Sequence, residues 1–147
     1  MKIIIDGDAC PGISIIEKVA ITRNIPVKLY CDIHHFIQSD YIDVKIVDSG
    51  FQSVDMYVMN EAKSGDIVVS QDYGVAAICL SRKAGVINPK GYIYNEDNIQ
   101  RLLEERHISQ KIRRAGGRTS NPKKRSKEDD ERLSSNLEKV ILQVIKK

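Results

Sequence analysis

The sequence predicts an α/β protein built on a mainly parallel sheet. Short apolar, β-branched runs recur through the first ninety residues: Ile3-Ile4-Ile5, Val27 to Tyr30, Val44 to Val47, Ile67-Val68-Val69 and Val86-Ile87. Each is too short for a helix and reads as a buried strand. Stretches of helical periodicity lie between most of them, and strands alternating with helices favour parallel pairing.

The elements follow in order. After the first strand, Pro11-Gly12 makes a turn, and Ile13 to Ile21 forms an amphipathic helix with Ile16, Val19 and Ala20 on one face. Asn24-Ile25-Pro26 stops it before the second strand. The third strand ends at Asp48-Ser49-Gly50. Ser53 stands where a cap would open a helix over 54–62, and Ser64-Gly65 closes it. The fourth strand leads through Asp72 into a helical stretch reaching Lys83, and Gly85 breaks that stretch before the fifth strand. Asn88-Pro89-Lys90-Gly91 is a turn. Two helices remain. One runs from Asn98 to about Ala115 and becomes basic toward its end. The other runs from Glu128 to about Ile145 with Leu133, Leu137, Val140, Ile141 and Val144 on one stripe. Ser126 is its expected N-cap, and the acids from Glu128 to Glu131 suit its positive end. The stripe is expected to pack back on the domain. The expected organisation is an α/β domain over 1–115, a basic flexible loop over 116–127 and a C-terminal amphipathic helix over 128–147. There is no internal repeat.

The chain has 147 residues, enough for one domain with a core, and 41% of them are hydrophobic. No apolar run approaches the roughly 20 residues of a membrane span. The N-terminus lacks the pattern of a signal peptide. Cys10, Cys31 and Cys79 are odd in number and form no Cys-x-x-Cys pair, so no disulfide framework is expected, and the expected compartment is the cytoplasm. The net charge of +3 conceals an asymmetry. Residues 1–100 carry 9 Lys and Arg against 13 Asp and Glu, while residues 101–147 carry 14 against 7. Between 106 and 127 stand nine basic residues and no acid. An acidic body joined to a basic arm suits a protein that holds cations in one place and a polyanion in another; the alternative is a solvated tail.

The acids are placed suggestively. Sites in open α/β sheets lie outside the carboxyl ends of the strands. Asp6 and Asp8 follow the first strand, Asp48 the third and Asp72 the fourth, and Asp55 opens the helix before the fourth strand. Five carboxylates at one edge offer the oxygen ligands that Mg²⁺ or Mn²⁺ prefers, and crowded carboxylates repel one another unless a cation neutralises them. Two such ions serve in-line displacement at a phosphodiester. Each acid also has a plain structural reading. Asp6 and Asp48 suit turns, Asp8 and Asp72 suit helix caps, and Asp55 suits a first helical turn. Asp66 sits at the opposite end of its strand and reads as structural. His34-His35 is weak as a metal pair, and Cys10 reads as a buried thiol rather than a nucleophile.

Three stretches, "DGDACP" at 6–11, "GDIVVSQDYGVAA" at 65–77 and "GGRTSNP" at 116–122 before an acidic helix, together resemble the YaiI/YqxD family of bacterial proteins. The resemblance spans nearly the whole chain. That family is similar to the PIN-like superfamily, many of whose members are metal-dependent nucleases. The resemblance implies a Rossmann-like three-layer α/β/α sandwich with C-terminal helices. It assigns the superfamily's first-strand acid to Asp6, its helical acid to Asp55 and its post-strand acid to Asp72 in the turn Ser70-Gln71-Asp72. Asp8 and Arg118-Thr119 belong to the family's own motifs. The basic arm is not part of a minimal PIN domain and reads as a substrate clamp or a lid.

The expected function is therefore metal-dependent phosphodiester hydrolysis, with RNA the expected substrate. Asp6, Asp8, Asp55 and Asp72 are the expected catalytic residues, joined by Asp48 as metal ligands, with Mg²⁺ or Mn²⁺ the expected cofactor. Arg113, Arg114, Arg118, Thr119, Lys123, Lys124 and Arg125 are expected to grip backbone phosphates. One alternative is a nucleic-acid-binding protein without catalysis, although two Phe and no Trp give little for base stacking. Another is a small-molecule phosphatase using an aspartyl nucleophile in the Asp6-Gly7-Asp8 stretch.

Overall fold

The computed structural model describes residues 1–7, 10–33, 37–48, 53–116 and 124–146, the side chain of Arg113 excepted. In chain order the elements are β1 (Ile3–Asp6), α1 (Ile13–Thr22), β2 (Val27–Asp32), β3 (Asp43–Val47), α2 (Val54–Glu61), β4 (Ile67–Val69), α3 (Tyr73–Ser81), β5 (Gly85–Ile87), β6 (Ile93–Tyr94), α4 (Glu96–Arg114) and α5 (Lys127–Ile145). The strands form one sheet in the order β3-β2-β1-β4-β5-β6. All neighbours are parallel except β5 and β6. Ile3 of β1 lies opposite Val27 of β2 on one side and Ile67 of β4 on the other.

Alternation along each strand divides the core into two. Ile3, Ile5, Val27, Leu29, Cys31, Ile67, Val69 and Ile87 face α1 and α5. Ile4, Tyr30, Val68 and Val86 face α2, α3 and the first turns of α4. Both faces are covered, and this explains why the strands read as unbroken apolar runs. Helices lie on both faces because the chain reverses direction. It steps outward from β1 to β3, returns to β4, then steps the other way to β5. Right-handed crossovers place α1 on one face and α2 and α3 on the other. The reversal falls between β1 and β4.

Three features complete the architecture. β6 is a two-residue antiparallel edge strand just beyond the expected turn at 88–91, where no element was expected. No helix joins β2 to β3 among the described residues. That crossover lays Ile37, Tyr41 and Ile42 against the α1 face instead, and the Tyr41 hydroxyl donates to the Ile25 carbonyl. The C-terminal helix packs back on the domain as expected: Leu133, Leu137, Val140 and Ile141 all belong to the α1-face core. Ser126 caps α5 in a reciprocal capping box with Asp129, and the helix begins one residue earlier than expected.

The far end of the sheet is held to α5 by polar contacts. Gly91, at φ +92°, presses against the backbone of Arg132 and Leu133 so closely that a Cβ would stand 2.5 Å from both. Arg125 donates to the Pro89 carbonyl, Arg132 to that of Lys90 and Asn136 to that of Gly91. At the opposite end of the strands, Asp66 accepts from Lys2 and from the Lys63 amide, which agrees with its structural reading.

Shortening Leu137 to alanine is therefore expected to cost about 2–5 kcal/mol, because its side chain is fully buried beneath α5. Urea unfolding followed by circular dichroism checks this. One cooperative transition at lower urea is expected; a separate early loss of α5 helicity with an unmoved main transition contradicts the single core.

Candidate functional site

β1 delivers Asp6 to the carboxyl edge of the sheet, where the chain leaves in close contact with β2. The Gly7 amide donates to the Tyr30 carbonyl at 2.7 Å, and a Cβ at residue 7 would stand 2.5 Å from that oxygen. The glycine after Asp6 is thus dictated by close backbone approach.

β4 ends beside β1, and Ser70 follows it, fully buried. Its hydroxyl donates to Asp6 Oδ2 at 3.1 Å and accepts from the Asp72 amide at 3.0 Å. Its own amide donates to the Ile87 carbonyl of β5. The Tyr94 hydroxyl donates to the Ser70 carbonyl and accepts from Asn88 Nδ2. Burial pushes the Tyr94 hydroxyl up to about 12, so it remains a donor across the ordinary pH range. Asp72 caps α3, with Oδ1 accepting from the amides of Gly74 at 2.7 Å and Val75 at 3.2 Å. Ser53 occupies the N-cap position of α2, but its side chain makes no capping bond. Asp55 stands in the first turn of that helix and accepts from the Met56 amide.

A pocket of about 410 Å³ opens at this edge, lined by Asp6, Ser53, Asp55, Gln71, Asp72, Tyr73 and Arg106 with Val54. It lies where the strand order reverses, the usual ligand position in such sheets. Arg106 arrives from α4. Its Nη1 stands 3.5 Å from Asp72 Oδ1, and the two side chains are 48% and 38% exposed. A pair this exposed contributes about 0–1 kcal/mol.

Three of the expected acids, Asp6, Asp55 and Asp72, therefore share one pocket. Asp48 follows β3, is exposed and is absent from the lining. Asp8 lies outside the described residues, as do His34, His35, Arg118, Thr119 and Lys123. The donors are all oxygen, as a hard cation requires. Yet among the described residues no three His, Cys, Asp or Glu side chains stand close enough to share a metal ion. The described acids by themselves therefore do not make up the expected metal site.

The basic residues divide as well. Arg114 and Lys124 are exposed, and Arg113 stands on the last turn of α4. Arg125 departs from its expected role. Its Nε meets Asp130 at 2.7 Å, Nη1 meets the Pro89 carbonyl at 2.8 Å, and the side chain is only 19% exposed, so it clamps α5 rather than reaching for phosphate. Arg106 was absent from the expected set. Its position over the pocket depends on how α4 packs on α3, and no local motif marks it.

Cys10 is buried, and burial first, then the Asp6 charge, raises its thiol to about 12 against the opposing charge of Arg125. Its reading as an inert thiol agrees with this.

The YaiI/YqxD family model, whose description is "uncharacterized", matches residues 4–143. The chain belongs to the YaiI/YqxD family. A protein of Clostridium kluyveri named UPF0178 protein is 63% identical over 142 residues, covering 97% of this chain and 93% of its own. A UPF0178 protein of Clostridium novyi is 61% identical over 141 residues, covering 96% and 95%. One of Clostridium acetobutylicum is 46% identical over 144 residues, covering 97% of each. No solved structure gives a significant match. Among the described residues of this chain, no helix is long and apolar enough to cross a membrane.

Two outcomes follow from the site's hydrogen bonds and buried acids. Ser70→Ala removes the link between Asp6 and the Asp72 amide and is expected to cost about 1–3 kcal/mol, read by urea denaturation. Alkali is expected to destabilise the fold. The neutral forms of Cys10, Cys79 and Tyr94 are favoured when folded, with values near 12, 11 and 12. Their contribution is complete below pH about 8, where the unfolded thiols are still largely protonated, and is lost as pH rises toward 12. The thermal midpoint should fall through that window, and less steeply in Cys10→Ala.

Proposed function

We propose that this YaiI/YqxD protein is a metal-dependent nuclease acting on RNA at the pocket between β1 and β4. The observation that carries the reading is the convergence of Asp6, Asp55 and Asp72, from three separate elements, around one pocket that also holds Arg106. A pocket of acids beside an arginine suits a phosphodiester bound together with a cation that offsets the charge of both. Asp6, Asp55 and Asp72 would hold Mg²⁺ or Mn²⁺, with Asp8 completing the set. When bound, the ion would supply charge neutralisation at the reacting phosphate. Arg114 and Lys124, with Arg113, Arg118, Thr119 and Lys123, would hold the backbone without reading sequence.

A second reading, nucleic-acid binding without catalysis, is favoured by the carboxylate spacing, which among the described residues does not suit a metal. The aspartyl-nucleophile phosphatase reading has no such support.

Labelled single-stranded and structured RNA, with DNA alongside, separates the two. Cutting is expected with Mn²⁺ or Mg²⁺, none with chelator, and a fall of at least about 100-fold in Asp6→Asn and Asp72→Asn. Asparagine is itself a good N-cap, so Asp72→Asn preserves the start of α3. Salt-sensitive binding without cutting in any metal replaces this proposal with the second reading.

A further inference from the structure

One buried aromatic reaches the walls of the acidic pocket from outside it. Tyr94 of β6 is 4% exposed and does not line the pocket. Its hydroxyl donates to the Ser70 carbonyl at 3.3 Å. Its ring meets that of Tyr73, a pocket residue, edge-on with the centroids 5.9 Å apart. We infer that Tyr94 is a positioning residue for this pocket: through Ser70 it holds the Asp6 carboxylate in one pose, and through its ring it holds Tyr73. The inference rests on the proposed reading of the pocket as the site of reaction.

The route to Asp6 follows from the donors and acceptors of Ser70. Its hydroxyl has one proton, and the oxygen already accepts from the Asp72 amide at 3.0 Å. The proton is therefore committed to Asp6 Oδ2, 3.1 Å away. That aim holds only while the Ser70 peptide keeps its place. Val69 lies opposite Ile87 in the parallel pairing of β4 with β5, so Ser70 is next in register with Asn88. The Ser70 amide duly donates to the Ile87 carbonyl. Its carbonyl would take the amide of residue 89 in a continuing parallel ladder, but residue 89 is proline and has no N–H. Tyr94 supplies the donor that proline lacks. Burial pushes its hydroxyl up to about 12, so it keeps its proton across the ordinary pH range. Tyr94 is itself held. Asn88 Nδ2 donates to its hydroxyl at 3.0 Å, and Asn88 Oδ1 accepts from the Lys90 amide at 2.7 Å. Arg125, Arg132 and Asn136 fasten the same turn to α5. A chain of fixed groups thus runs from α5 through the 88–91 turn, Tyr94 and Ser70 to Asp6. A carboxylate held in this way needs little reorganisation when substrate arrives.

Tyr94→Phe tests the inference on the full chain, because it removes the hydroxyl and keeps the ring. The first readout needs no substrate: the Hα–Hβ couplings of Asp6 by nuclear magnetic resonance, assigned with Asp6→Asn. Wild type is expected to show the unequal couplings of a single rotamer, and Tyr94→Phe the evened couplings of a side chain that averages. The second readout is RNA cleavage, where Tyr94→Phe is expected to lower kcat about tenfold and to leave KM within about twofold. In a Ser70→Ala background Tyr94→Phe is expected to change neither readout further. Leu137→Ala, in the α1-face core, controls for lost stability and is expected to leave both at wild-type values. If Tyr94→Phe leaves the couplings unchanged, or if Leu137→Ala moves them as far, the positioning role is wrong. A further change in the Ser70→Ala background overturns the route through Ser70. If wild type cuts RNA and Tyr94→Phe cuts it equally fast, the positioning role is wrong while the nuclease reading stands. If the couplings respond as expected and no form of the protein cuts RNA, the nuclease reading falls and the hold of Tyr94 on Asp6 stands.

Discussion

The candidate site depends on one buried hydroxyl. Ser70 lies at the end of β4 with no exposed surface, and it ties the last residue of β1 to the first turn of α3 through Asp6 and the Asp72 amide. A buried hydroxyl without partners is costly, so Ser70 is stable only when both neighbours are in place. The same residue reaches β5 through its amide and Tyr94 through its carbonyl. Four elements thus converge on it at the point where the strand order reverses. The pocket opens there because β1 and β4 send their chains to opposite sides and leave a gap between them.

Charge is distributed around that gap in an ordered way. Asp6, Asp55 and Asp72 stand at the pocket, and exposed basic residues stand on the distal part of α4. Arg106 is where the two regions meet. Other cations serve a different purpose. Arg125 and Arg132 are turned inward to the carbonyls of the 89–90 turn and to acids of α5, fastening that helix across the sheet. A basic stretch of sequence is thus split by the fold into residues that build and residues that remain exposed to solvent.

Much of the architecture was legible because two-sided burial leaves a plain mark. Ile3 to Ile5 and Ile67 to Val69 must be apolar at every position, and the turns and glycines between them bound the helices. The capping box at Ser126 was readable for a similar reason, since its partners are three residues apart. β6 was not readable, because two residues carry no period. The packing of Tyr41 and Ile42 on the α1 face was not readable either, since they cover it from irregular backbone. Asp6, Asp55 and Asp72 were findable because each follows or opens a recognisable element. Arg106 and Ser70 differ. Ser70 had a place in a motif but no stated role, and Arg106 stood in the basic run with nothing local to single it out.

By itself the sequence determined that the apolar runs of β1 to β5 are strands of a mainly parallel sheet and that the acids after β1 and β4 would reach one edge. These follow from local composition and from the common carboxyl edge that parallel strands share. Only the tertiary structure decided which charges meet. Asp48 follows a strand as Asp6 does, yet β3 is at the sheet margin and β1 at its centre, so only Asp6 reaches the pocket. Arg125 and Arg106 look alike in one basic run. The packing of α5 turns the first toward a backbone carbonyl, and the packing of α4 on α3 sets the second beside Asp72, because contact in space depends on the path of the whole chain.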